Sequence, residues 1–182
     1  MTGPDPARLA AAALPVLAIA AFTLVLGATV AFAGDTLGYD FLAYHQAAQR
    51  VLDGQPLYDT SFQATGGFGL FYYPPAFLPL ILPFGLLGAT AATWTWIALL
   101  IGSFVVGIAI LPVSRTVRWW IVLLAGLSFP FVYAVKLGQV GPLLFLAFAA
   151  GWRWLDRPGW LGEAPRSGQR SSSSRGSSSP GR

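Results

Sequence analysis

Between Leu9 and Ala33 the chain runs without one ionisable residue, a stretch long enough to cross a ~30 Å hydrocarbon core as a helix. Lipid offers no hydrogen-bond partner to bare backbone, so such a segment must close its own N–H and C=O groups as an α-helix. The run exceeds the ~7–15 residue core of a secretory signal, and more apolar runs follow, so an uncleaved anchor is expected. Charged residues are 10% of the 182 and the mean hydropathy is +0.62, whereas soluble domains carry roughly 25% charge. The expected class is an all-α integral membrane protein.

Apolar runs at Thr93–Leu111, Trp119–Val135 and Pro142–Leu155 extend the pattern. Between them lie Arg115 and Arg118, then Lys136 with the turn Gly138-Gln139-Val140-Gly141. A further run, Pro75–Gly88, is interrupted by Pro79 and Pro83 and is short for a crossing; such lengths suit a re-entrant or interfacial segment. If it dips without crossing, Arg8, Arg115, Arg118, Arg153 and Arg157 all fall on the cytoplasmic side, as the positive-inside rule asks. If it crosses, Arg115 and Arg118 face outside. The first arrangement is expected: four full spans, one partial segment, and residues 34–75 as an outer loop of a multi-pass plasma-membrane protein.

That loop concentrates the polar chemistry. Its stretch from Asp40 to Pro75 holds the single His (His45), four of the six Tyr (Tyr44, Tyr58, Tyr72, Tyr73) and the acids Asp40, Asp53 and Asp59, and no further Asp, Glu, Lys, Arg or His follows until Arg115. Asp40 to Asp53 has the spacing of a short helix stopped by Gly54, with Tyr44, Ala47, Ala48 and Val51 on Asp40's face. Phe41, Tyr44 and Leu52 would turn toward lipid at the interface. Asp40 is equally suited to be this helix's N-cap or a functional carboxylate. His45 stands ~140° round the helix from it and reads as an interfacial His. Loop tyrosines in membrane proteins mostly form the interfacial belt. Gly27, Gly102 and Gly107 suit close helix packing.

No His/Cys/carboxylate cluster has metal-ligand spacing, and no phosphate loop or nucleophile motif is present. The net charge of +4 does not imply nucleic acid, because the cations sit at span ends and in the tail rather than on a basic, aromatic-laced face. The tail, 158–182, is rich in Ser, Arg, Gly and Pro and lacks any core-forming pattern. One reading is a disordered tail. The favoured expectation is a frameshift: C-rich Leu codons read one base out of register give Ser runs such as 171–174 and 177–179, in place of further spans.

The segments DFLAYHQAAQRVLDGQPLYD, FYYPPAFLPLILPFGLL and SFPFVYAVKLGQVGPLLFLAF, in that order, resemble the amino-terminal part of glycosyltransferase family 87. These are GT-C-type membrane enzymes that include polyprenyl-phosphate-mannose-dependent α-1,2-mannosyltransferases. The shared marks are an Asp with a Tyr four on, a Tyr-Pro-Pro, and a Gly-Gln pair opening a later span. The resemblance implies transfer of a hexose, mannose in the named members, from a polyprenyl-phosphate donor to a cell-envelope glycan or glycolipid acceptor. Asp40 would be the general base of an inverting reaction on the outer face. It further implies that Tyr44, Tyr72, Tyr73 and Gln139 line the sugar or lipid-phosphate groove, with Arg50 or Lys136 as phosphate partner. It implies no cofactor apart from the donor itself and leaves a metal requirement open. Two departures stand out. Family members continue for several more spans, so this chain alone is expected to be inactive, and Val140-Gly141 follows the Gly-Gln pair where an Asn is frequent. The competing expectation is a non-enzymatic membrane scaffold or partner subunit.

Overall fold

A computed structural model describes residues 6–58 and 70–155, with side chains from residue 12. The described residues are helices joined by turns, with no strand among them. In chain order these are α1 (Pro6–Ala31), α2 (Tyr39–Leu52), a run of short turns at Pro75–Leu86 containing α3 (Leu78–Ile81), α4 (Ala89–Ile110), α5 (Arg115–Leu127), α6 (Phe129–Leu137) and α7 (Gly141–Leu155).

Two helices, α1 and α4, are long and apolar enough to cross a membrane, and the α5–α6 pair makes a third if it counts as one bent span. The expected single span Trp119–Val135 is instead broken, with α5 and α6 at 68°. The cause is local. Ser128 is extended (φ −84°, ψ 113°) and Pro130 sits in the first turn of α6, where it has no N–H to return to the preceding turn. The span expected from Thr93 begins earlier, at Ala89, after Gly88. The Pro75–Leu86 run forms no crossing helix: it alternates between 3-10 and α turns and packs on α2. The Ser-rich tail and the Gly-rich patch of the loop lie outside the described residues.

Helix directions follow from the contacts. Pro15 of α1 borders the same cavity as Arg115, Thr116 and Trp119, while Phe22 meets Gly126 seven residues further on, so α5 runs parallel to α1. Thr93 of α4 lies against Gly38, just past the end of α1, whereas Ile108 shares a cavity with Ile19, so α4 runs the opposite way. Gly107 lies against Phe145 and Leu146, and Ile110 shares a cavity with Ala150, so α7 runs with α4. The described residues between α1 and α4 (32–58 and 70–88) therefore sit at one end of the bundle and the α4–α5 turn at the other. This is the direction expected if Pro75–Gly88 does not cross.

Of the glycines expected to bring helices together, Gly107 does so, and a Cβ there would come within 2.8 Å of the Phe145 ring. Gly27 and Gly102 have nothing within 4 Å. The closer crossing is at Gly126, where a Cβ would lie 2.6 Å from the Phe22 Cα.

The core sits at the loop end. Trp96, Phe41, Ile81, Leu100 and Val135 are fully enclosed. The Phe41 and Trp96 rings stack at 5.0 Å, and Phe84 meets both edge-on at 5.7 and 5.2 Å. Aromatic pairs in these geometries contribute about 0.5–1.5 kcal/mol each beyond the area they bury.

Candidate functional site

The site is built on the junction of α2 with the α6–α7 turn. Gly38 starts α2 from a left-handed conformation (φ 70°) and its N–H donates to the Lys136 carbonyl at 2.7 Å. Gly38, rather than Asp40, is the N-cap, so the capping role considered for Asp40 is not the one it has. Asp40 lies within the first turn, half-buried, where a carboxylate is favoured by the helix dipole by about 0.3–1 kcal/mol. A Cβ on Gly38 would come within 2.5 Å of Thr93 Cγ2, so the close approach of α2 to α4 also requires glycine.

On the opposing side, α6 ends at Gly138, again left-handed (φ 78°). Its N–H and that of Gln139 return to the Val135 and Ala134 carbonyls at 3.0 and 2.8 Å. Its own carbonyl accepts a 2.8 Å bond from the buried Trp96 Nε1. A Cβ at Gly138 would lie 2.7 Å from Phe41 Cβ. Three helices thus fix the backbone immediately before Gln139. From there Gln139 Nε2 donates to Asp40 Oδ2 at 2.8 Å, across 99 positions of sequence. A neutral amide donating to a carboxylate holds it without discharging it, and no other described residue hydrogen-bonds that carboxylate.

Tyr44, one turn beyond Asp40, is in the core and not turned toward lipid. Its hydroxyl donates to Tyr73 Oη at 3.1 Å, and its ring meets Tyr73, Phe71, Phe77 and Trp96 edge-on. Burial first, then the Tyr73 hydroxyl and the nearby Asp40 charge, push the Tyr44 hydroxyl well above the usual tyrosine range. It is held as a neutral donor. The Tyr58 hydroxyl donates to the Tyr73 carbonyl at 2.9 Å, which pins the backbone just before Pro74-Pro75. Phe41 is likewise enclosed, so of the three side chains expected on a lipid-facing side only Leu52 is exposed. The helix is anchored by its aromatic face and is not laid on the interface. His45 is also buried, not interfacial: its Nε2–H donates to the Leu87 carbonyl at 2.9 Å and ties α2 to the end of the Pro75–Leu86 run.

The structure therefore brings together Asp40 with Gln139, and Tyr44 with Tyr73. The other expected residues make no hydrogen bond to the carboxylate. Arg50 is ten residues along α2, about 15 Å by helix rise, and its Nε donates to the Pro56 carbonyl at 3.1 Å. The Lys136 ammonium stands 5.3 Å from the centre of the Tyr133 ring, in cation–π range. Tyr72 is largely exposed. Sequence reasoning missed Trp96 and the paired glycines Gly38 and Gly138. A buried Trp whose N–H needs an acceptor and a Gly closing the Lys136-Leu137 helix end were the available signals. Among the described residues no group of three or more His, Asp or Glu could hold a metal ion.

An all-helical membrane protein with a carboxylate clasped at one end of its bundle is the class that fold and site define. The model of glycosyltransferase family 87 matches residues 71–165, just over half of the chain. The chain belongs to glycosyltransferase family 87 and is, in general class, a membrane glycosyltransferase. No curated protein and no solved structure matches it. The match includes Tyr72, Tyr73, Lys136 and Gln139 but begins beyond Asp40, Tyr44 and Arg50. Asp40 and Tyr44 are joined to the matched region by the two side-chain hydrogen bonds to Gln139 and Tyr73.

Proposed function

We propose that the chain is the amino-terminal part of an inverting hexosyltransferase of the GT-C type. It would use a polyprenyl-phosphate sugar, with mannose the first candidate, and a cell-envelope glycan or glycolipid acceptor on the extracytoplasmic face. Its bundle would comprise four spans, with the Pro75–Leu86 run as a partial segment. In this reading Asp40 is the general base. It takes the proton of an acceptor hydroxyl as that oxygen attacks the anomeric carbon. The bond from that carbon to the phosphate oxygen breaks, and the lipid phosphate leaves with the electron pair.

The observation that supports this best is the 2.8 Å bond from Gln139 to Asp40. A general base must be held in one orientation within reach of the proton it removes. Gln139 restrains one carboxylate oxygen, and the other takes no hydrogen bond from a described residue. Gln139 is thus a positioning residue rather than a lining residue, and Tyr44 and Tyr73 hold the same helix from behind. Tyr72, largely exposed, would lie against a sugar face.

The test uses an intact homologue that carries these residues, reconstituted with a radiolabelled polyprenyl-phosphate mannose and a glycolipid acceptor. Asp40→Asn should lower kcat by about 10²- to 10⁴-fold, the range set by loss of a general base. Gln139→Ala should lower kcat by about 10- to 100-fold with KM nearly unchanged, since misplacing a catalytic group can cost about 100-fold. Near-normal transfer by Asp40→Asn would remove Asp40 as base. A raised KM with kcat nearly unchanged for Gln139→Ala would return Gln139 to a substrate-binding role.

A further inference from the structure

Far from the carboxylate, α4 turns into α5 at the other end of the bundle. A cavity of about 520 Å³ opens between α1, α4 and α5, a size in the range of small-molecule sites. Its walls are apolar (Phe22, Phe104, Val105 and Ile108 among them) and its mouth carries Arg115 and Arg118, with no carboxylate among the lining residues. A neighbouring cavity of about 380 Å³, reaching Pro15 of α1, shares Arg115 and Trp119 with it.

Two donors at this mouth are orphaned. Arg118 Nε and Trp119 Nε1 are buried and have no hydrogen-bond partner among the described residues. Arg118 Nη2 donates to the Leu111 carbonyl at 3.1 Å, which holds the guanidinium at the turn instead of letting it extend away. Leaving donors unmet at the edge of hydrocarbon is costly, so an acceptor that reaches them would bind with that cost removed. The need is for an anion with several acceptor oxygens, attached to an apolar chain.

We infer that this cleft binds an anionic phospholipid of the surrounding bilayer, with the headgroup phosphate between Arg115 and Arg118 and one acyl chain against Phe104, Val105 and Ile108. Arg matches phosphate through paired N–H donors, and Trp119 Nε1 can donate to a phosphate or ester oxygen of the same molecule. The glycosyl donor is a different lipid at a different end. Ile108 lies twelve residues along α4 from Trp96, about 18 Å by helix rise, so a sugar on a phosphate held at Arg118 does not reach Asp40. The cleft is thus a membrane-anchoring site and not a second view of the transfer site.

The full chain, purified in a neutral detergent, is titrated with phosphatidylglycerol, phosphatidylcholine or a short-chain polyprenyl phosphate. Bound lipid is counted by native mass spectrometry and followed as a rise in Tm. Phosphatidylglycerol should bind at least tenfold more tightly than phosphatidylcholine, as two basic side chains at a headgroup imply. Arg115→Gln with Arg118→Gln should abolish that preference, while Arg153→Gln, outside this cleft, should keep it. Val105→Trp, which fills the tail groove and leaves both cations in place, should weaken phosphatidylglycerol binding in a chain of unchanged helix content. Equal affinity for the two phospholipids, or a preference that survives the double substitution, would overturn the proposal. Tighter binding of the polyprenyl phosphate than of phosphatidylglycerol that is lost with Arg115→Gln and Arg118→Gln would overturn the assignment to a bilayer phospholipid.

Discussion

The two ends of α4 are closed in opposite ways. Near its start, Trp96 is enclosed by Phe41 and Phe84, its N–H meets the Gly138 carbonyl, and glycines on both sides let the backbones touch. Near its finish, Phe104 and Ile108 border an open cleft against α1 and α5, edged by two donors without partners. Interlocked aromatic and polar contacts define one geometry to within an ångström, as a reacting group needs. An open apolar cleft with cations at its rim suits the anionic phospholipid proposed for it. The polar clasp lies where chemistry is proposed, and the unfilled cleft lies where a bilayer lipid is proposed.

The contrast predicts a graded series of stability effects. Trp96→Ala should be the most damaging, costing about 3–5 kcal/mol as a large aromatic is removed from a packed core, while Val105→Ala should cost less because its side chain stands exposed at the cleft. Denaturation of each variant in the same detergent decides it, and equal costs would dissolve the contrast. Gly138→Ala should cost about 1–3 kcal/mol through overpacking against Phe41, added to the strain of its left-handed backbone. Tyr44→Phe should cost about 0.5–1.5 kcal/mol for the lost hydrogen bond to Tyr73.

The same tyrosine gives a pH signature. Its folded-state proton is held more tightly than in the unfolded chain, so its stabilisation is whole below about pH 10 and declines as the unfolded side chain ionises above that. Wild type minus Tyr44→Phe, followed by thermal unfolding from pH 8 to 11, should show that decline. The smallest effect has the opposite sign. Gly102 is free of neighbours in mid-helix, and Gly102→Ala should raise stability by about 0.5–1 kcal/mol.

Helical class and the course of the chain were legible because long uncharged runs admit one solution in lipid. The break at Ser128 was not, since composition is uniform across it and Pro130 acts only through one missing N–H. The α2 helix was legible to within a residue, from its periodicity and Gly54. Its burial was not, because Phe41 and Tyr44 serve equally well in a belt or a core, and what decides is whether α4 offers Trp96. Asp40, Tyr44, Tyr73 and Gln139 were picked out by order along the chain. That Gln139 bonds to Asp40 could not be read there, because it depends on two left-handed glycines closing the same gap. Arg50 and Lys136 were chosen by charge and side of the membrane, which carry no information on distance.

The bond between Asp40 and Gln139 spans 99 residues, and that separation has a consequence in time. A ribosome adding ~5–20 residues per second delivers Gln139 some 5–20 s after Asp40. Through that interval α2 exists without the turn that clasps it, and Phe41 has neither Trp96 nor Gly138 to cover it until α4 and α6 are inserted. The candidate base is therefore assembled last, by the arrival of α6, and a chain stalled between α4 and α6 would carry every loop residue of the site and none of its geometry.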